Sequence, residues 1–126
     1  MIKRTKKKEN AVRILLADDQ TIVRDGLRAL LETYSDMVII GQAENGKEAC
    51  ERARELNPDV VLMDVRMPEM DGVEATKIIK EEEPETLVIM LTTFDDDQYI
   101  IHAMSNGASG YLLKDIGGDR LAEAIR

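Results

Sequence analysis

The stretch Pro58-Asp59-Val60-Val61-Leu62-Met63-Asp64-Val65-Arg66-Met67-Pro68 decides the fold. Val60 to Met63 is a short, unbroken apolar run fenced by two prolines. A run of this length with β-branched members predicts a strand buried on both faces, the pattern of a parallel sheet. It ends on the carboxylate of Asp64. In open α/β sheets, ligands gather outside the carboxyl ends of the strands, so Asp64 is the first candidate for chemistry, as a nucleophile.

Working outward toward the N-terminus, Arg13 to Ala17 predicts a first strand that stops at Asp18-Asp19. Val23, Leu27, Leu30, Leu31 and Tyr34 then recur at helical spacing and form one apolar face. Met37 to Gly41 is a second strand, and Asn45 is placed to cap a second helix carrying Ala49, Ala53 and Leu56, which Asn57-Pro58 ends. Beyond the central stretch, Asp71 with Glu74 three residues on has the form of a capping box and starts a third helix that runs to about Glu83. Leu87 to Leu91 is a fourth strand ending at Thr92. A helix from about Asp97 carries Ile100, Met104 and Ala108 inward and closes at Asn106-Gly107. Ser109 to Leu113 is a fifth strand ending at Lys114, and Gly117-Gly118-Asp119 opens a last helix over 120–126.

Uninterrupted strand–helix alternation implies a parallel sheet with helices on both faces. Five strands in this length suit a flavodoxin-like, doubly wound α/β fold of order 2-1-3-4-5. The chain divides into a basic, frayed tail over 1–11 and one domain over 12–126. Its last helix meets the chain end without a cap, as expected of a piece of a longer protein.

Composition is that of an ordinary globular chain, 44% apolar and 33% charged. The net charge of −8 argues against nucleic-acid binding by this domain itself. Lys3, Arg4, Lys6, Lys7, Lys8 and Arg13 against Glu9 make the head basic, which reads first as a solvated tail. No apolar run reaches the roughly 20 residues of a membrane span, and there is no signal peptide. A single cysteine, Cys50, excludes an internal disulfide. Together these features fit a cytoplasmic protein.

The strand ends converge on one rim: Asp18 and Asp19 from strand one, Asp64 from strand three, Thr92 from strand four, Lys114 from strand five. Any one of these has a bland explanation, such as a helix cap or a solvated charge. Together they do not, because clustered carboxylates repel and desolvate badly without a cation. A hard divalent ion such as Mg²⁺ accepts one or two carboxylates and shares phosphate oxygens. Asp19 and Asp64 can ligate it directly and Asp18 through water. Lys114 and Thr92 can then hold a phosphoryl group that Asp64 attacks, giving an acyl phosphate.

These residues resemble the receiver domain of bacterial two-component response regulators, the CheY-like family. The resemblance rests on Asp18-Asp19, the D-V-R-M-P-x-M-D-G run from Asp64 to Gly72, Leu91-Thr92, and Gly110-Tyr111-Leu112-Leu113-Lys114. It implies that Asp64 is the phosphoacceptor and that Asp19, Asp64 and the Arg66 backbone carbonyl ligate Mg²⁺, assisted by Asp18. Thr92 and Lys114 would be the phosphate-sensing pair, and Tyr111 the aromatic that swings inward with Thr92. The runs A-D-D-Q from Ala17, L-T-T-F-D-D from Leu91 and G-A-x-G-Y-L-L-K-D from Gly107 are similar to the NarL/LuxR-type transcription regulators. That subfamily implies a sensor histidine kinase as phosphodonor, homodimerisation on phosphorylation through the fourth helix, fifth strand and last helix, and DNA binding only through a C-terminal helix-turn-helix domain not in this chain. One departure is Asp115, where many receivers have a proline, often cis, after the lysine.

Other features carry less. His102 reads as a helix residue, not a phosphodonor or part of a metal cluster. Cys50 reads as half-buried and inert. Met67 and Met70 are expected at the rim, Asp95-Asp96-Asp97 as a cap for the fourth helix, and Glu81-Glu82-Glu83 as a solvated helix end. Arg66 and Phe94 flank the path of a hydrolytic water. Three other readings compete with the switch. The runner-up, a Mg²⁺-dependent phosphatase working through an aspartyl phosphate, calls for a second Asp two residues after the nucleophile, where Arg66 stands. A flavin-binding domain needs a hydroxyl- or glycine-rich loop where Asp18-Asp19-Gln20 stands. A pseudo-receiver without phosphoryl chemistry is disfavoured by the intact set.

Overall fold

The structure, a computed structural model, describes residues 11–92, 97–114 and 117–126, with 97–100 described by their backbone alone. The basic head over 1–10, Phe94, Asp95, Asp96, the Lys114–Asp115 bond and the side chains of Asp97 and Ile100 lie outside the described residues.

The strands are β1 (Val12–Ala17), β2 (Met37–Ala43), β3 (Val60–Asp64), β4 (Leu87–Thr92) and β5 (Gly110–Leu113). The helices are α1 (Thr21–Leu31), α2 (Gly46–Leu56), α3 (Gly72–Glu82), α4 (Asp97–Ser105) and α5 (Gly118–Ile125). The strands form one parallel sheet of order β2-β1-β3-β4-β5, the predicted topology.

Side chains along each central strand alternate between two covered faces, so nearly every position is buried. Leu15, Ala17, Val61, Met63, Val88 and Met90 face one way and meet Ala49, Ala53, Ala75, Ile79 and Ala103 of α2, α3 and α4. Ile14, Leu16, Val60, Leu62, Ile89 and Leu91 face the other way and meet Leu31, Leu121, Ala122 and Ile125 of α1 and α5. Small residues on α2–α4 let those helices approach the sheet closely.

Local signals account for the ends of α2 and the start of α3. Asn45 Oδ1 accepts the Glu48 amide at 2.7 Å, and Asp71 Oδ1 accepts the Glu74 amide at 2.9 Å, so both predicted caps form. Asn57 closes α2 in the left-handed region at φ 49°, a conformation asparagine tolerates. Its carbonyl and that of Leu56 accept the Arg13 guanidinium at 2.7 and 2.6 Å.

Several expectations need correction. β2 runs past Gly41 to Ala43, because an extra residue between Ile39 and Gly41 shifts its register and the ladder to Leu16 and Ala17 then continues. Tyr34 lies beyond the end of α1, where its hydroxyl donates to Asp119 at 2.5 Å, and Leu30 is an exposed side chain. On α4 Ala103 is fully buried, while Met104 is 44% exposed. Ile101 is also exposed, so this helix is apolar on more than one face and periodicity could not select the inner one. Ala108 is buried as expected. Cys50 is fully buried, not half-buried, and burial pushes its thiol pKa up. Met67 packs in the core and leaves the rim, and Met70 is partly buried against the same core. Glu82 is exposed but not merely solvated: Arg54 Nε donates to both its carboxylate oxygens, at 2.9 and 3.0 Å, joining α2 to α3. Ala11, assigned to the tail, is buried. His102 is an exposed helix residue.

Candidate functional site

Strand register builds the site. Ala17 pairs with Met63, Asp64 with Leu91, and Thr92 with Leu113. Asp18, Asp64, Thr92 and Lys114 therefore leave successive strands as a staircase at one edge of the sheet. Lys114 is tied into it by its amide, which donates to the Thr92 carbonyl at 2.9 Å.

The side chains follow. Carboxylate oxygens of Asp18, Asp19 and Asp64 lie within 4.8 Å of one another. Asp18 and Asp64 are buried, at 2% and 5% exposure, and Asp19 is exposed. Lys114 Nζ stands 2.9 Å from Asp64 Oδ1 and 3.6 Å from Asp18 Oδ2. Thr92 is fully buried at the end of β4, Tyr111 is 49% exposed on β5, and the Arg66 side chain is exposed two residues beyond Asp64.

Electrostatics single out Asp64. Its pKa is raised to about 6: burial raises it most, the hydrogen bond and charge of Lys114 lower it, and the charges of Asp18 and Asp19 raise it. The Lys114 pKa is itself raised. Burial works against its charge, but the hydrogen bond to Asp64 and the charges of Asp64 and Asp18 outweigh that. One ammonium therefore stands against three carboxylates. The deficit is visible in one atom: Asp18 Oδ1 accepts the Gln20 amide at 2.9 Å, whereas the buried Oδ2 accepts no hydrogen bond.

An all-oxygen donor set, excess negative charge and an orphaned buried carboxylate oxygen suit a hard divalent cation. The residues present fit such an ion, with Asp18, Asp19 and Asp64 as the acidic group around it.

Two glycines fix the far wall. A Cβ on Gly72 would lie 2.1 Å from the Asp64 carbonyl oxygen, so only glycine lets α3 start against the end of β3. The Gly72 amide donates to the Val65 carbonyl at 2.8 Å. A Cβ on Gly46 would meet the Met70 carbonyl at 2.2 Å, and its amide donates to that oxygen at 2.9 Å. The loop from Val65 to Asp71 is thus pinned by the start of two helices.

Sequence reading missed Arg24. Its guanidinium is buried and donates to the Asp18 carbonyl at 2.5 Å, Gln42 Oε1 at 3.0 Å and Thr21 Oγ1 at 3.2 Å. A signal existed: Arg24 shares the helical stripe of Leu27 and Leu31, at i+3 and i+7. Among the described residues no helix is long and apolar enough to cross a membrane.

Comparison with known proteins places the chain among response regulators. Over 114 residues the chain is 50% identical to the transcriptional regulatory protein LnrK of Bacillus subtilis, covering 90% of this chain and 52% of that protein. It is 42% identical over 115 residues to the response regulator protein VraR of Staphylococcus saprophyticus, covering 91% and 55%. The chain thus spans about half the length of the curated relatives it matches. A solved structure of a DNA-binding response regulator of the LuxR family from Staphylococcus aureus superposes with a TM-score of 0.84 at 32% identity, covering 90% of this chain and 95% of that one. Residues 14–126 match the response regulator receiver domain, and the chain belongs to that family, on the branch shared with transcriptional regulators of NarL/LuxR type.

Proposed function

We propose that this domain is a phosphorylation-operated switch in which Asp64 accepts a phosphoryl group from a phosphohistidine on a sensor kinase. The observation that carries the reading is the Lys114 ammonium 2.9 Å from a buried Asp64 carboxylate inside a three-carboxylate cluster. Asp19, Asp64 and the Arg66 carbonyl would hold Mg²⁺, with Asp18 assisting. The bound ion supplies positive charge that lets an anionic phosphoryl group enter an acidic site. Asp64 Oδ attacks phosphorus, the P–N bond to the donor histidine breaks with its electron pair going to the imidazole, and an acyl phosphate remains on Asp64. Lys114 pairs with one phosphoryl oxygen and the Thr92 hydroxyl donates to another, so catalysis is positioning and charge stabilisation.

Acyl phosphate formation biases a pre-existing conformational equilibrium rather than forcing a new shape. Thr92 moving toward the phosphoryl group vacates space that Tyr111, now half exposed, fills. The face of α4, β5 and α5 then pairs with a second copy. The relatives named as transcriptional regulators support a longer parent with a C-terminal DNA-binding domain, and a cytoplasmic setting. The unit over 12–126 acts on itself, by phosphotransfer and by slow hydrolysis of its own acyl phosphate, and turns over no outside substrate. The phosphatase reading loses ground because Arg66 occupies the position its general acid would need.

With Mg²⁺ and acetyl phosphate, intact-mass spectrometry should show one added phosphoryl group per chain, and excess EDTA should suppress it. Rapid multiple turnover of phosphate esters would instead favour the phosphatase.

A further inference from the structure

A buried guanidinium is costly unless a carboxylate pairs with it, yet Arg24 is 6% exposed and its nearest carboxylate, on Glu44, lies 3.8 Å away with its side chain 67% exposed. Its three hydrogen bonds go to neutral oxygens, the shortest to the backbone carbonyl of Asp18. A trans peptide points its carbonyl and its amide in opposite directions. Drawing the Asp18 carbonyl inward therefore fixes the peptide on the N-terminal side of Asp19. The peptide on the other side is fixed too, because the Gln20 amide donates to Asp18 Oδ1 at 2.9 Å. Asp19 is the exposed member of the acidic group, so its aim depends chiefly on these two peptides. The Asp18 amide donates to the Ala43 carbonyl at 3.0 Å, and Arg24 reaches Gln42 on the same strand, so the turn hangs from β2.

We propose that Arg24 is a positioning residue for the cation site: it holds the Asp18-Asp19 turn so that Asp19 faces Asp64, and divalent-ion affinity depends on it. This rests on the cation reading of Asp18, Asp19 and Asp64. The competing explanation is that Arg24 only fastens α1 to β2, through Gln42 and Thr21.

The two separate in a titration of Mg²⁺ against the metal-free chain by calorimetry, beside denaturant unfolding of the same samples. Arg24→Met should weaken Mg²⁺ binding about tenfold or more, the range seen when groups that orient metal ligands are removed. Gln42→Ala breaks only the Arg24 link to β2, leaving the Asp18 amide on Ala43 and the Asp18 carbonyl on Arg24, and should keep affinity within about twofold of the parent. Arg24→Lys retains one donor for that carbonyl and should restore most of the affinity lost in Arg24→Met. If Arg24→Met does not fold, Arg24→Gln takes its place with the same expected loss, its shorter side chain falling short of the Asp18 carbonyl, because a fastening role alone would lower stability and leave Mg²⁺ affinity flat. Parental affinity in a folded Arg24→Met chain, or equal losses in Gln42→Ala and Arg24→Met, would overturn the proposal. Absence of Mg²⁺ binding by the parent chain, with Asp19→Asn indistinguishable from it, would instead overturn the cation reading on which this rests.

Discussion

Asp64→Asn should abolish phosphoryl incorporation and, in the absence of Mg²⁺, make the domain more stable. The two effects share one cause. Ionised Asp64 is buried beside Asp18 and Asp19 with only Lys114 opposite, and its folded pKa is about 6 against an ordinary 3.8. Below about pH 4 the carboxyl is protonated in both folded and unfolded chains and costs nothing. Between pH 4 and 6 the unfolded chain releases its proton while the folded chain keeps it, so stability falls as pH rises. Above pH 6 the full cost is present, on the order of 2–3 kcal/mol. Asparagine removes that charge and still offers Lys114 an acceptor, so about 1–2 kcal/mol should be regained at pH 7.5 and close to none below pH 4. The measurement is denaturant unfolding at both pH values, with an unchanged slope showing that only stability moved. A carboxylate that serves only to stabilise the fold would give the opposite sign.

Mg²⁺ should act in the other direction. An ion that binds only the folded chain stabilises it by about 2.7 kcal/mol at a hundred times its dissociation constant. For a domain of this size that is a rise in Tm of roughly 10 °C. EDTA should reverse it. Asp19→Asn and Asp64→Asn should each remove most of the increment, so saturating Mg²⁺ should narrow or invert the stability advantage of Asp64→Asn. The experiment is a thermal melt with and without the ion for the three chains. Equal increments in all three would place ion binding elsewhere.

Much of this was legible because apolar runs mark where parallel strands stop. Once Val60–Met63 and Leu87–Leu91 are read as strands, Asp64 and Thr92 must lie at one rim, and the register sets Lys114 beside them. Asn45 and Asp71 announced their caps because a short polar side chain before a helix has one favoured partner, the amide three residues on. What sequence could not supply was direction. α4 is apolar on several faces, so Met104 and Ala103 could not be ranked. Met67 follows an acidic strand end, yet folds back into the core. Arg24 was overlooked because a guanidinium in an apolar stripe is ordinarily solvated at its tip, and only the structure brings the Asp18 carbonyl and Gln42 to it.

The proposed switch requires that Asp64, and not either neighbouring carboxylate, carry the phosphoryl group. After reaction with acetyl phosphate and Mg²⁺, borohydride reduces an acyl phosphate to an alcohol, converting the modified aspartate to homoserine. Peptide mapping should find homoserine at position 64 alone. Homoserine at position 18 or 19, or none anywhere in a chain that binds Mg²⁺, would rule out Asp64 as the phosphoacceptor.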